Sequence, residues 1–368
     1  MTRRELTDRE CRILALTVQA YIEDAAPVGS RTLVRRFALD LSPATVRNVM
    51  NDLEAKGMLE QPHTSAGRVP TDIGYRVYVD EIMRPVELSR AERAALREAL
   101  TPEAGSGKDA AAILDQTVRV MGDLTHLLAV SMEPKLQEGT FEKIELVRLG
   151  DRKVLAVLTI SRGFLRTVVL ELDAAVDRES LEATGRLLNE RLSGLPMQAI
   201  RDSAQERVRD ADAGDPRILK LILNNSDEIF APRVSDEGIH YWGTPNILSL
   251  PEFADRERML SLMEALEEKD IFVRILGQHV GDEGLTITIG EENLEGEVRF
   301  CSIVTSPYRV GEVSGSVAVV GPTRMEYSRL VSVVDYAARI VSEVLGEEED
   351  RSGTGGEEQP GEREEKVS

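Results

Sequence analysis

Residues 41–71, LSPATVRNVMNDLEAKGMLEQPHTSAGRVPT, constrain the fold more than any other stretch. Ser42-Pro43 is an N-cap followed by proline at the first helical position, where a missing amide costs nothing. Gly57 stands where a helix running to about Lys56 needs a left-handed stop. Met58–Gln61 read as a strand, and a turn with a small polar tip follows, so the helix leads straight into a short hairpin. Upstream, Thr7-Asp-Arg-Glu10 is a capping box. Behind it Cys11, Leu14, Val18, Tyr21 and Ile22 recur at helical spacing until Pro27. A second short helix, RTLVRRFAL, is capped by Ser30, and Thr71 opens a helix through Met83. Three helices and a hairpin predict a winged helix-turn-helix domain over 1–84.

The third helix has two different faces. At about 100° per residue, Val46, Val49, Met50 and Leu53 share one arc. Ala44, Asn48, Asn51 and Ala55 lie opposite, flanked by Thr45 and Arg47. Exposed helix faces usually favour Glu and Lys, which are strong helix formers. Here Thr and Asn cluster where packing does not require them. Asn can bridge adenine, Arg can bridge guanine, and Ala and Thr can touch the thymine methyl. Ser42, Ala44, Thr45, Arg47, Asn48 and Asn51 are therefore candidate DNA contacts. His63, Thr64, Ser65 and Arg68 on the hairpin tip offer donors to phosphate oxygens. Arg31 and Thr32 place a helix start toward phosphate. A solvated helix face, or a winged helix that binds protein, is the competing account of the same residues.

Charge bears on that choice. The net charge is −20, which by itself disfavours a nucleic-acid partner. Residues 1–85, however, hold 12 Lys+Arg and 12 Asp+Glu, so the whole excess lies beyond them. Residues 28–47 carry Arg31, Arg35, Arg36 and Arg47 against Asp40 alone.

Past the N-terminal domain, Ser89-Arg-Ala-Glu92 is a second capping box, opening a helix to about Leu100. It belongs to a linker helix and linker over 85–109. A helix is expected over about 110–128, a three-strand meander over 141–171, and a helix over about 176–192. Residues 197–268 mix helical pattern (218–230, 255–268) with the Gly/Pro-rich GIHYWGTPNILSLPEF. Strand patterns resume with IFVRIL, LTITIG, RFCSIVTS and GSVAVVG, and a helix over about 325–345 closes the ordered chain. Economy suggests that the strands of 141–171 and 271–320 form one mixed α/β domain, split as 110–196 and 269–345 around an insertion at 197–268. Residues 346–368 carry 9 acids and 3 bases without an apolar cluster, the composition of a disordered acidic tail. The fold class expected is α+β and multidomain.

Several runs together resemble the heat-inducible transcription repressor family, HrcA. They are PVGSRTL (27–33), LSPATVRNVMNDLEAKGMLEQPHTSAGRVPTDIGYRVYVD (41–80), LLNERLSGLP (187–196), YWGTPNILSLPEF (241–253) and GPTRMEY (321–327). The resemblance spans about residues 5–345, and the 41–80 run is very specific. It implies a homodimeric repressor of chaperone operons that binds double-stranded DNA at an inverted-repeat operator. Release on heat stress is implied, as is a GroE-type chaperonin that keeps the repressor active. It implies a winged helix, a GAF-like domain and an inserted dimerisation domain. Tyr241 and the only tryptophan, Trp242, then become dimer-interface candidates, since interfaces favour such side chains. The acidic tail is outside the pattern.

Other function classes find little support. The four histidines are scattered without ligand-spaced partners, so neither a metal nor another cofactor is expected. GQHVGDEG at 277–284 is neither a Walker A loop nor a dinucleotide fingerprint, and it is taken as a turn. No catalytic cluster stands out, so an enzyme is not expected. Cys11 and Cys301 are expected to be core thiols. The charged N-terminus lacks a secretory signal and no apolar run suggests a membrane span, so a cytoplasmic location is expected. The alternative function is a ligand-gated regulator sensing a small molecule through the GAF-like domain, with strands at 154–160 and 317–320 lining a pocket or simply a core.

Overall fold

Both capping boxes close. Glu10 accepts from the Thr7 amide at 2.7 Å while the Glu10 amide donates to the Thr7 hydroxyl at 3.2 Å, and Ser89 and Glu92 do the same at 2.9 and 3.2 Å. Each satisfies orphan amides at a helix start. The computed structural model describes residues 6–63, 66–101, 110–134, 139–161, 164–172, 176–208, 214–225, 229–230, 238–278 and 284–346. Thr64, Ser65, most of the GQHVGDEG turn and the acidic tail lie outside the described residues.

The N-terminal unit comprises α1 (Asp8–Asp24), α2 (Ser30–Arg36), α3 (Pro43–Ala55), the two-residue strands β1 (Leu59–Glu60) and β2 (Val69–Pro70), and α4 (Asp72–Val77). A π-helical turn, Tyr78–Ile82, continues α4. The N-cap of α2 is Gly29 rather than Ser30, which is buried in the first turn. The predicted inner arc of α3 is buried throughout: Val46, Val49, Met50 and Leu53.

The body begins with α5 (Arg90–Leu100) and α6 (Ala110–Thr125). Among the described residues it contains two separate antiparallel sheets. The first is the meander β4 (Phe141–Arg148), β5 (Lys153–Ile160) and β6 (Phe164–Glu171). Its apolar face packs with α7 (Arg178–Leu192), α8 (Met197–Arg207) and α9 (Pro216–Asn224) into a core that runs from Phe141 to Phe230. The second sheet has the order β7-β3-β10-β9-β8, with β3 (Leu128–Met132), β7 (Ile239–Trp242), β8 (Thr286–Ile289), β9 (Cys301–Val310) and β10 (Val313–Pro322).

The strands of 141–171 and those of 286–322, expected to share one mixed α/β domain split around 197–268, lie in two different sheets. Among the described residues the meander strands pair only with one another, and β7, from the stretch expected to be an insertion, pairs with β3 of the five-stranded sheet. Tyr241 and Trp242 are therefore strand residues of that sheet, paired with Val130 and Ala129. Strand 154–160 contributes to the core beneath the meander, whereas 317–320 contributes to the cores on the two faces of the five-stranded sheet.

IFVRIL, expected as a strand, is helix α12 (Lys269–Gly277). Its buried residues Ile271, Phe272, Ile275 and Leu276 recur at helical spacing. Together with α10 (Thr244–Leu248) and α11 (Arg256–Glu267) it covers one face of the five-stranded sheet. The other face carries α5, α6 and α13 (Tyr327–Gly346), in a core continuous with that of the N-terminal unit. Cys11 and Cys301 are both buried free thiols, and burial pushes the Cys301 thiol far above its ordinary pKa.

Because the core is continuous, the N-terminal unit is seated on the body. Arg76 of α4 forms a two-pronged ion pair with Glu292, its Nε donating at 2.8 Å, and also donates to the Ile287 carbonyl at 2.6 Å. Asp72 accepts from the Glu291 amide at 3.1 Å. From the other side, Arg324 pairs with Glu252 and donates to the Ile22 carbonyl of α1 at 2.7 Å. Tyr75 and Tyr327 meet with ring centroids 5.8 Å apart.

Candidate nucleic-acid interface

The Ser42 hydroxyl caps α3, accepting from the Thr45 amide at 3.0 Å, and shares a hydrogen bond with the Thr45 hydroxyl at 2.9 Å. These two candidates thus first build the helix start. Ala44, Arg47, Asn48 and Asn51 are exposed along its outer side, with Thr45 half-buried beside them. Pro43 and the cap fix where the helix begins, and the buried arc fixes its rotation. Its outward residues are therefore set by sequence spacing.

α2 packs against this helix. Arg31 and Arg35 are exposed, and neither they nor Arg47 make an ion pair among the described residues. Arg36 differs: it bridges back to Asp24 at 2.6 Å and to Glu23 at the end of α1. Thr32 is half-buried. Arg31, Arg35 and Arg47 are thus exposed guanidinium groups on α2 and α3 without an ion pair among the described residues, and Asp40 and Asp52 are exposed as well.

The hairpin is held at its base. Glu60 pairs with Val69, and Val28 exchanges two 2.8 Å backbone hydrogen bonds with Arg68, adding a third chain to the ribbon. Gly67 is required there, because a Cβ would lie 2.4 Å from the Val28 carbonyl. At the tip, Ala66 donates to the His63 carbonyl at 2.8 Å and the Gln61 amide reaches the Ala66 carbonyl at 3.0 Å. His63 is exposed.

Arg68, expected to reach phosphate, is turned inward. Its Nη2 donates to Asn51 Oδ1 at 3.0 Å and pairs with Glu54 at 2.7 Å. It joins hairpin to helix, and its guanidinium is mostly covered. The sequence argument overlooked Glu54 as its anchor, although Glu54 follows Asn51 at the three-residue spacing that puts both on one side of a helix. It also left out Arg35, which had been counted only as charge.

Tyr241 and Trp242 sit far along the chain, on edge strand β7, with 38% and 39% of their surface exposed. Trp242 Nε1 donates to Asp123 at 3.1 Å, and the Arg119 guanidinium lies 4.4 Å from its ring centroid. Among the described residues no group of three or more His, Cys, Asp or Glu is arranged to hold a metal ion.

The family profile described as the HrcA protein C-terminal domain matches residues 111–331. Curated relatives align over nearly their full length. The heat-inducible transcription repressor HrcA of Chlorobium chlorochromatii is 38% identical, covering 94% of this chain and 99% of the relative. That of Geobacter sulfurreducens is 37% identical, covering 93% and 98%. A crystal structure described only as that of a hypothetical protein superposes with a TM-score of 0.60 at 22% identity, covering 93% of this chain and 99% of that one; it is a likeness of fold.

Proposed function

The chain belongs to the HrcA family of heat-inducible transcription repressors, and from that premise we propose that it represses heat-inducible transcription by reading DNA through the outward face of α3. The N-terminal unit acts as a winged helix-turn-helix: α3 enters the major groove, α2 crosses the backbone, and the hairpin follows the duplex. The observation that carries this reading is the face itself. Arg47, Asn48, Asn51 and Ala44 are exposed on a helix whose opposite side is fully buried, beside unpaired Arg31 and Arg35. These are base-reading and phosphate-neutralising groups on one surface. In this account Arg68 orders Asn51 and the hairpin, and His63, Thr64 and Ser65 are the tip's phosphate donors.

The repressor works as a homodimer on an inverted repeat. The meander supplies a surface suited to a second copy. Val147, Leu155 and Val169 stand in register across its three strands on the face away from α7–α9, and Val147 and Val169 are 44% and 53% exposed. An outward apolar stripe on a sheet is the kind of patch that marks an interaction surface. Trp242 is already engaged by Arg119 and Asp123, which makes it a weaker interface candidate. The five-stranded sheet with its covering helices takes the GAF-like role.

The cellular setting is cytoplasmic, and no helix among the described residues is long and apolar enough to cross a membrane. Heat release follows if a GroE-type chaperonin maintains the active form and unfolded clients draw that chaperonin away.

Competitive selection from a random duplex pool at physiological salt, with and without chaperonin, tests the function. Enrichment of one inverted repeat is expected. No enrichment under either condition leaves the N-terminal unit as a protein-binding module.

A further inference from the structure

Two asparagines are exposed on α3, Asn48 and Asn51, three residues apart and so on one side of the helix. By residue type both can bridge adenine, which takes the amide oxygen and nitrogen together on one base edge. The fold makes them different. Among the described residues the Asn48 side chain has no hydrogen-bond partner, so either atom of its amide can meet a base. The Asn51 side chain is held by Arg68.

Arg68 Nη2 finds two acceptors, Asn51 Oδ1 at 3.0 Å and Glu54 Oε2 at 2.7 Å. A guanidinium only donates, so the amide atom that faces it is the oxygen; the reversed amide would set donors against donors. Arg68 Nε is covered and has no partner among the described residues, so the contacts through Nη2 are what fix the group. Beneath it the hairpin backbone is pinned by the two 2.8 Å bonds between Val28 and Arg68. The Asn51 oxygen is therefore committed to the hairpin side. Its amino nitrogen, Nδ2, keeps its donors free, with no partner among the described residues.

We propose that Arg68 fixes the polarity of Asn51, so that Asn51 meets DNA as a donor and selects guanine or thymine over adenine and cytosine at its position. This rests on the DNA-binding reading above. Guanine O6 and thymine O4 accept in the major groove, whereas adenine N6 and cytosine N4 are amino donors that would face Nδ2. A carbonyl oxygen can accept twice, but adenine reaching Oδ1 would bring its amino group against the guanidinium donors. Arg68 is thus a positioning residue, setting a base preference without touching a base. One such contact is worth about fivefold in affinity, the low end for a base contact.

Competitive selection from a random duplex pool with the full chain tests this, run on the native protein and on Asn51→Ala, Arg68→Ala and Arg68→Lys. The Val28 bonds run through the backbone of residue 68 and do not depend on its side chain. The base position that loses its preference in Asn51→Ala is the one Asn51 reads. The native chain is expected to hold guanine or thymine there, about fivefold over adenine and cytosine. Arg68→Ala is expected to bind every duplex more weakly and to admit adenine at that position alone. Lysine also only donates, so Arg68→Lys is expected to keep the preference, a rescue that a purely structural role would not tie to one base position. Adenine or cytosine there in the native chain overturns the proposal. So does a preference that Arg68→Ala leaves intact, or a repeat that Asn51→Ala changes at no position. A repeat that depends on Arg47 and Asn48 but carries adenine opposite Asn51 leaves the DNA-binding reading standing and removes only the polarity. No enrichment by the native chain, with or without chaperonin, removes both.

Discussion

Arg68 donates through Nη2 to the amide oxygen of Asn51 at 3.0 Å, while Glu54 holds the same nitrogen at 2.7 Å. Hairpin and third helix therefore present their polar groups as one unit. Removing the guanidinium frees Asn51 to rotate and leaves Glu54 as an unpaired acid near the phosphate path. Arg68→Ala is expected to weaken binding to operator and random duplex together and to cost about 1 kcal/mol of stability, a figure reduced for the partial exposure of Glu54. Titrations against both duplexes with a melting curve check this. Lost discrimination with unchanged random-duplex affinity would show that Arg68 instead contacts a base.

The seating of the N-terminal unit yields a second prediction. Arg76→Ala removes the pair with Glu292 and the bond to the Ile287 carbonyl. Both partners are partly exposed, so roughly 1 kcal/mol is at stake. Hydrogen exchange should rise in α4 and in 286–292 while α3 keeps its protection. Equal exchange in both chains would mean that the shared core alone holds the unit in place.

Dimerisation is assigned to the outward meander face. Val169→Asp buries a charge in any interface formed there but leaves the monomer's own core untouched, because Val169 is already exposed. Sedimentation should show a shift toward monomer, with affinity for the full inverted repeat falling and half-site affinity retained. A dimer of unchanged strength would move the interface elsewhere, with β7 the next surface to test.

One carboxylate gives a pH signature. The Ser89 hydroxyl and amide, with Arg329, hold the Glu92 carboxyl down at about 2, below the roughly 4.3 of an unfolded glutamate. A lowered folded pKa stabilises the fold above the unfolded value, and that contribution disappears as pH falls from about 4.3 toward 2. Arg329 is more than a third exposed, so the effect is about 1 kcal/mol after screening. Glu92→Gln should flatten the acid side of the melting-temperature profile in that window and lower stability at neutral pH. Parallel profiles would remove Glu92 from the account.

Local chemistry was the legible part of this chain. Thr7, Ser42, Ser89 and Gly57 mark helix ends through their own side chains or backbone, and Val46, Val49, Met50 and Leu53 encode the rotation of α3 by spacing alone. Strand partnership was not legible. β3 (LAVSM) is buried on both faces, so it has no alternation and merges with the apolar end of α6. β7 is a four-residue edge strand whose partner lies more than a hundred residues away. IFVRILG is rich in β-branched residues, yet it buries a helical stripe. The inward turn of Arg68 depended on Glu54, a pairing between helix and hairpin that only the folded chain brings within 2.7 Å.

The central claim is that the outward face of α3 reads bases. It is tested most directly by titrating the selected inverted repeat and a random duplex with the native chain and with Arg47→Ala combined with Asn48→Ala. Each lost base contact should cost roughly 1–3 kcal/mol on the selected sequence, and random-duplex affinity should fall far less, by no more than the loss of one phosphate-neutralising charge. Undiminished preference for the selected repeat in the doubly substituted chain would contradict the account.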